Sequence, residues 1–216
     1  MAEDSNLSQK FYEQALILDQ EHKGCEEARE LFIKAGKSKH VEALYMLGVL
    51  SAESDSEDGY EDAYDWWLKA ARRGHIGSCY NLGICHANGA GAELDITLAV
   101  RWFEKAAEKG HVNAQFSLAR ELYSGNGIPR DFVKAFNWML KAAMAGHVNA
   151  MADVALMYTM GQGIDKPDKI NGYVWALNAQ EHKHDGATNI LKAIEKTFKM
   201  TERDKRSARD YLKSLK

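Results

Sequence analysis

The sequence predicts an all-α protein, a right-handed α/α superhelical solenoid of helix-turn-helix repeats, on three observations. The chain repeats itself: Trp102, Lys105, Ala106, Ala107, Gly110, His111, Asn113 and Ala114 recur thirty-six residues on as Trp138, Lys141, Ala142, Ala143, Gly146, His147, Asn149 and Ala150. Within each copy the apolar residues fall at helical rather than alternating spacing. Gly-x-Gly triplets then separate the helical stretches, at Gly89-Ala90-Gly91, Gly125-Asn126-Gly127 and Gly161-Gln162-Gly163. A period of this length marks a stacked array, in which one hairpin cannot bury its apolar face alone and needs its neighbours.

The register extends in both directions. One period upstream lie Trp66, Lys69, Ala70, Ala71, Gly74 and His75, and Ala28, Leu31, Phe32, Lys34, Ala35 and His40 fit one unit further back at an offset of thirty-five. Downstream, Trp175, Asn178, Ala179 and His184 fit at thirty-seven, because the loop Gln162 to Ile170 carries one extra residue. Five units are expected, at about 8–42, 43–77, 78–113, 114–149 and 150–186, with 187–216 a partial repeat and capping helix.

Each element has a local reason. Asn6 or Ser8 is expected to cap a first helix whose stripe is Phe11, Ala15, Leu16 and Leu18, and Gly24 ends it. A second helix follows over 26–37, then a shorter one from Ala43 to Ala52 and another from Asp62 to Arg73. First helices of the repeats open on Ala43, Ser78, Ala114 and Ala150, with small Gly48, Gly83, Ala119 and Ala155 five residues on, so that helices can cross closely. Leu47, Leu82, Leu118 and Val154 fill the space between. The glycine triplets supply positive-φ positions where a helix stops. They follow helices and lack both the third glycine of a dinucleotide fingerprint and the GK[ST] of a phosphate loop, so they are turns. Second helices are expected to place Trp66, Trp102, Trp138 and Trp175 against the next hairpin, and Gly74, Gly110 and Gly146 end them. Ile190, Leu191, Ile194 and Phe198 mark a helix over Ala187 to Lys199, and Thr201 with Asp204 predicts a capped start for a last helix, 202–215.

The combination A-x-x-x-L-G-x-x, G-x-G and A-x-x-W-x-x-K-A-A-x-x-G-H at this period resembles the Sel-one-like repeat, a relative of the tetratricopeptide repeats, over about residues 8–186. The resemblance implies an adaptor that holds other proteins, in bacterial signalling and host interaction, toxin neutralisation or eukaryotic quality control. The second unit departs from the pattern: Ser54 and Ser56 replace the loop glycines, and Glu53 to Asp62 is strongly acidic. The paired cysteines of the secreted, disulfide-stapled branch are missing as well.

Composition narrows the function classes. The net charge of −3 hides an asymmetry, for residues 1–108 hold 20 acidic and 11 basic side chains and residues 109–216 hold 11 acidic and 17 basic. No basic run interleaved with aromatics appears, so no nucleic-acid partner is expected. No apolar stretch approaches the roughly 18 residues of a membrane span. The start MAEDSNLSQK has neither the basic nor the apolar region of a secretory signal. Cys25, Cys79 and Cys85 are odd in number, and the last two stand six residues apart on divergent faces of one helix. A reducing cytoplasm and a monomer are expected.

The candidate sites follow. His40, His75, His111, His147 and His184 recur once per repeat, yet hairpins stacked about 8–10 Å apart cannot bring a ladder of rings onto one ion. Their expected role is a polar turn residue, and neither metal nor cofactor is expected. Carboxylates are scattered without a pair that stands out, and Cys79 and Cys85 read as small buried hydrophobes. No enzyme is expected; the competing reading is a hydrolase with a polar cluster of perturbed ionisation in the concave face. Binding has better support. Counting from each opening residue, positions three, four and seven face away from the packing positions at about 100° per residue. They read Tyr45, Met46, Val49; Tyr80, Asn81, Ile84; Phe116, Ser117, Arg120; and Ala152, Asp153, Leu156. Aromatics in register suggest a concave groove that grips a partner protein or peptide, as adaptor, scaffold or bacterial immunity protein. The plainer alternative is that position three is half-buried between hairpins. The acidic run Glu53, Asp55, Glu57, Asp58, Glu61 and Asp62 lacks the spacing of a calcium loop and reads as a solvated loop, or as one that steers a basic partner.

Overall fold

The computed structural model describes residues 2–54, 56 and 58–214, with side chains from Asn6 onward. The described residues form twelve helices and no strand, grouped in two compact units, Met1–Lys109 and Gly110–Lys216. The first unit holds α1 (Ala2–Glu21), α2 (Glu26–Lys37), α3 (Val41–Ala52), α4 (Gly59–Ala71), α5 (Ile76–Asn88) and α6 (Ile96–Ala107). The second holds α7 (Val112–Ser124), α8 (Phe132–Met144), α9 (Val148–Met160), α10 (Lys169–Glu181), α11 (Ala187–Phe198) and α12 (Glu202–Ser214). Within each unit successive helices pair as hairpins, and the second helix of each hairpin packs on the first helix of the next.

The packing explains the small residues. Gly48 lies against the indole of Trp67, and a Cβ there would run into the ring; Gly83 stands in the same relation to the ring of Phe103. A methyl group at either position would push two helices apart. The buried residue of each second helix is the one after the recurring tryptophan: Trp67, Phe103, Met139 and Ala176 are buried, whereas Trp66, Trp102, Trp138 and Trp175 are half-buried. Trp66 packs on the core of α1 to α3 and Trp175 on one that includes Leu191 and Ile194 of the following helix, each as a partly buried residue at its edge. Three of the recurring tryptophans carry a lysine over the ring, Lys69 at 4.1 Å from Trp66, Lys105 at 5.2 Å from Trp102 and Lys141 at 3.8 Å from Trp138. Repeated identity at these positions reflects a cation over an aromatic face on a partly wet side of the helix.

Helix starts also differ from expectation. α1 begins at Ala2, so Asn6 and Ser8 lie inside it rather than at its start; the stretch ahead of them contains no helix breaker. α3, α5, α7 and α9 begin two residues before the expected openings. The reason is the recurring histidine. Nδ1 of His40, His75, His111 and His147 accepts the backbone N–H of Ala43, Ser78, Ala114 and Ala150 at 3.3, 3.0, 3.2 and 3.2 Å, which makes each imidazole an N-cap. Second helices use aspartate instead: Asp95, Asp131 and Asp168 accept from the N–H groups of Leu98, Lys134 and Asn171. At the C-terminal end the expected capping box is present, with Thr201 N–H donating to Asp204 Oδ2 at 3.0 Å and Asp204 N–H to Thr201 Oγ1 at 3.2 Å. Those bonds and Lys169 hold the Asp204 carboxyl down at about 2.

The acidic run is shorter as a loop than expected, since α4 already begins at Gly59. Asp55 and Glu57 lie outside the described residues. Glu53 pairs with Lys23 at 3.0 Å and Asp62 faces Arg29 at 3.8 Å, so part of its charge is answered within the unit.

A pH dependence follows from the histidine caps. An imidazole caps only while Nδ1 is unprotonated, and burial, the largest cause, pulls His40, His75 and His147 below the ordinary value of 6.5, against a smaller upward pull of Glu42 on the first two. Below that value the unfolded chain binds protons that the folded chain refuses. The caps' contribution is therefore full above pH 6.5 and is lost as pH falls through the lowered folded values. Glu121 and Asp153, whose carboxyls burial raises, act with the opposite sign in a lower range. The melting temperature should fall between pH 7.5 and 5.5, and replacing His40, His75 and His147 by Asn, a cap that does not titrate, should flatten that fall. An unchanged slope in the triple variant would remove the caps as its cause.

Candidate functional site

Four residues of the expected face line one groove in the second unit. α7 and α9 run as neighbouring first helices, and between them opens a groove of about 570 Å³. Phe116, Arg120 and Glu121 of α7 form one wall, and Ala152, Asp153, Leu156, Met157 and Met160 of α9 form the other. Met139 of α8, Gln162 of the α9–α10 loop, His184 between α10 and α11, and Ile190 of α11 line it too, with polar Tyr123, Ser124, Asn126 and Asn149. Phe116, Arg120, Asp153 and Leu156 were expected from the sequence. Tyr45, Met46, Val49, Tyr80, Asn81 and Ile84 belong to the first unit, where they are half-buried along α3 and α5.

Part of the aromatic face is spent on packing. Phe116 stacks on His147 with ring centres 4.1 Å apart, and Tyr45 tilts onto His75 at 4.4 Å. Tyr45 and Phe116 thus lean on the N-cap histidine of the following hairpin, as Tyr12 of α1 does on His40 at 4.3 Å. Tyr80 packs against Phe103, 5.9 Å away, in its own hairpin.

The electrostatics are set by burial. Asp153 is half-buried, and burial pushes its carboxyl up, only partly offset by Arg120 and His184. The Glu121 carboxyl is pushed up for the same reason, with Arg120 again opposing. Arg120 itself is exposed, its guanidinium 5.9 Å from the Phe116 ring. Tyr123 OH donates to Gln162 Oε1 at 2.8 Å, which ties the end of α7 to the α9–α10 loop, and Ser124 Oγ donates to the Glu121 carbonyl at 3.1 Å.

Sequence reasoning missed several of these groups. Glu121 and Met157 stand at position eight of their helices and Met160 at position eleven, on the same stripe as positions four and seven. Continuing the stripe by one further turn would have found them. Gln162 and His184 come from loops, which carry no period.

Elsewhere the molecule offers less. In the first unit a polar cavity of about 840 Å³ is lined by Lys23, Arg29, Glu53 and Asp62 among others, charges that pair with one another. Cys79 and Cys85 are buried, and burial lifts the Cys85 thiol to about 11, far from a ready thiolate. Among the described residues no group of three or more His, Cys, Asp and Glu side chains could hold a metal ion. No described helix is long and apolar enough to cross a membrane.

Comparison with known proteins agrees with this architecture. The chain is similar to c5321, a protective antigen of uropathogenic Escherichia coli with an SLR fold, at 27% identity and a TM-score of 0.82 over 96% of this chain. It spans 45% of that protein. It is similar to a Sel1 repeat protein from Oxalobacter formigenes at 22% identity and a TM-score of 0.76, over 97% of this chain and 88% of the other. A Sel1 repeat protein from Klebsiella pneumoniae matches at 21% identity with a TM-score of 0.53, over 87% and 93% of the two chains. No curated protein matches the chain by sequence. The Sel1 repeat model matches residues 41–75, 76–111, 112–147 and 148–179, each start within one residue of an N-cap histidine. Four tandem matches make the chain a member of the Sel1 repeat family, whose repeats are in general protein-interaction modules and typically not catalysts.

Proposed function

We propose that the chain is an adaptor or scaffold that seats a segment of a partner protein in the groove between α7 and α9, with Phe116, Arg120, Asp153 and Leu156 as anchors. Tyr45, Met46, Val49, Tyr80, Asn81 and Ile84 form a second contact face on the first unit in this reading. The observation that carries it is the convergence of the four expected residues on one groove, whose lining mixes apolar side chains with polar and charged ones as a recognition site does. Three free cysteines support a reducing compartment such as the cytoplasm. Immunity against a toxin is the narrower form of the proposal, and a toxin gene beside this one would favour it.

The test pairs binding with folding. Arg120→Glu with Leu156→Glu should weaken capture of the partner about tenfold or more, the worth of one good anchor. Far-ultraviolet circular dichroism and the melting temperature should stay the same. Partners retained undiminished by the double variant would reject the groove.

A hydrolase would draw on Glu121 and Asp153, the two groove carboxyls that burial raises. The nearby hydroxyls weigh against it, since Tyr123 and Ser124 already donate to Gln162 and to the Glu121 carbonyl. Turnover of a peptide or glycoside substrate that disappears in Glu121→Gln would overturn the binding reading.

A further inference from the structure

The groove between α7 and α9 has a charge problem of its own. Among the described residues that line it, Arg120 is the one fixed cation against two carboxylates, Glu121 and Asp153. Arg120 is exposed while both carboxylates are half-buried, so the cation is better solvated than the anions. Resting on the reading above, we infer that the seated segment presents one lysine or arginine side chain, next to an apolar one, to Glu121 and Asp153.

Three further observations bear on this choice. Burial raises the Glu121 carboxyl in spite of Arg120 and the Asp153 carboxyl in spite of Arg120 and His184, so the positive charge already present does not offset the burial of the two anions. A partner cation that arrives with its own hydrogen bonds would complete the site and displace protons from it. The walls suit the rest of such a side chain: Leu156, Met157 and Met160 line the approach, and unbranched methionines adapt to the aliphatic stem of a lysine or arginine. The setting also limits the number of cations. Residues 109–216 carry 17 basic against 11 acidic side chains, so a polybasic segment is repelled by the surroundings while a single cation is held locally.

The experiment uses phage-displayed random dodecapeptides selected on the immobilised full chain, followed by fluorescence anisotropy of one selected peptide. The peptides should be enriched in one Lys or Arg beside an apolar residue. Replacing that Lys by Gln should weaken binding to the unaltered protein about tenfold, the scale of one charge-assisted pair. The same peptide change should matter little to the Glu121→Gln, Asp153→Asn double variant. Binding to the unaltered protein should also tighten as pH rises and the two carboxyls, both raised by burial, ionise.

The peptide substitution needs no folded variant, so the inference stays testable if the double variant misfolds. Selected peptides that lose binding in Leu156→Glu but tolerate Lys→Gln, or that carry Asp or Glu instead, would overturn the inference and leave the groove standing. Peptides indifferent to Leu156→Glu and Arg120→Glu, or no enrichment at all, would overturn the groove itself.

Discussion

Gly163→Ala is expected to cost about 2–4 kcal/mol of unfolding free energy, because it combines a disallowed backbone with a backbone collision. Gly163 has φ +77°, and a Cβ there would strike the carbonyl oxygen of Phe132 at the start of α8 and come within 2.6 Å of Phe136 Cβ. Carbonyl oxygens at a helix start cannot swing aside as the end of a long side chain can. Gly91, at φ +68°, stands in the same way against the carbonyl of Tyr60 at the start of α4. The first glycine of that triplet supplies the control. Gly89 has φ +69°, but its nearest contact would be Leu94 Cβ at 3.4 Å, ordinary van der Waals distance. Gly89→Ala should therefore cost only the conformational share, about 1 kcal/mol. Urea unfolding of the three single variants separates the two effects. If Gly89→Ala and Gly91→Ala prove equally costly, then φ alone matters and the close approach of loop to helix does not.

Phe103→Ala is expected to cost about 3–5 kcal/mol, since it empties the space of a ring that is 1% exposed. Gly83→Ala should cost about 1–3 kcal/mol for the opposite reason, overpacking. Its new methyl would come within 2.5 Å of the Phe103 ring carbons, and the ring is held between helices. Together the two changes should be less costly than their sum by about 1 kcal/mol or more, because the methyl occupies room that the ring has vacated. A double-mutant cycle measured by chemical unfolding gives the coupling. Strict additivity would mean that Gly83 is small for the sake of the α5 backbone rather than of Phe103.

Much of the fold was legible because it rests on contacts between residues a few positions apart. The capping box of Thr201 and Asp204 spans three residues and was read correctly, as was the helix from Ala187. The positive-φ glycines of the triplets were read correctly for the same reason. Helix starts were misplaced by two residues because histidine does not belong to the usual capping set of Ser, Thr, Asp and Asn. The depth of Trp66, Trp102 and Trp138 was not legible for a different reason: neighbouring positions on a helix point about 100° apart, and recurrence at a fixed period does not say which of the two is the more deeply buried. The partner of Gly48 is Trp67, a residue that varies from copy to copy as Trp, Phe, Met and Ala and so drew no notice.

The groove divides along the same line. Phe116, Arg120, Asp153 and Leu156 could be picked out beforehand because a helical stripe obeys its own period whatever it packs against. The sequence alone thus determined the repeat, the hairpin and the side of each first helix that the core does not claim. Only the tertiary structure decided that Glu121, Gln162 and His184 share a groove with them, and that Asp153 sits deep enough for its charge to be costly. These groups belong to different hairpins and to loops, and their meeting and their ionisation depend on burial, which no spacing along the chain encodes.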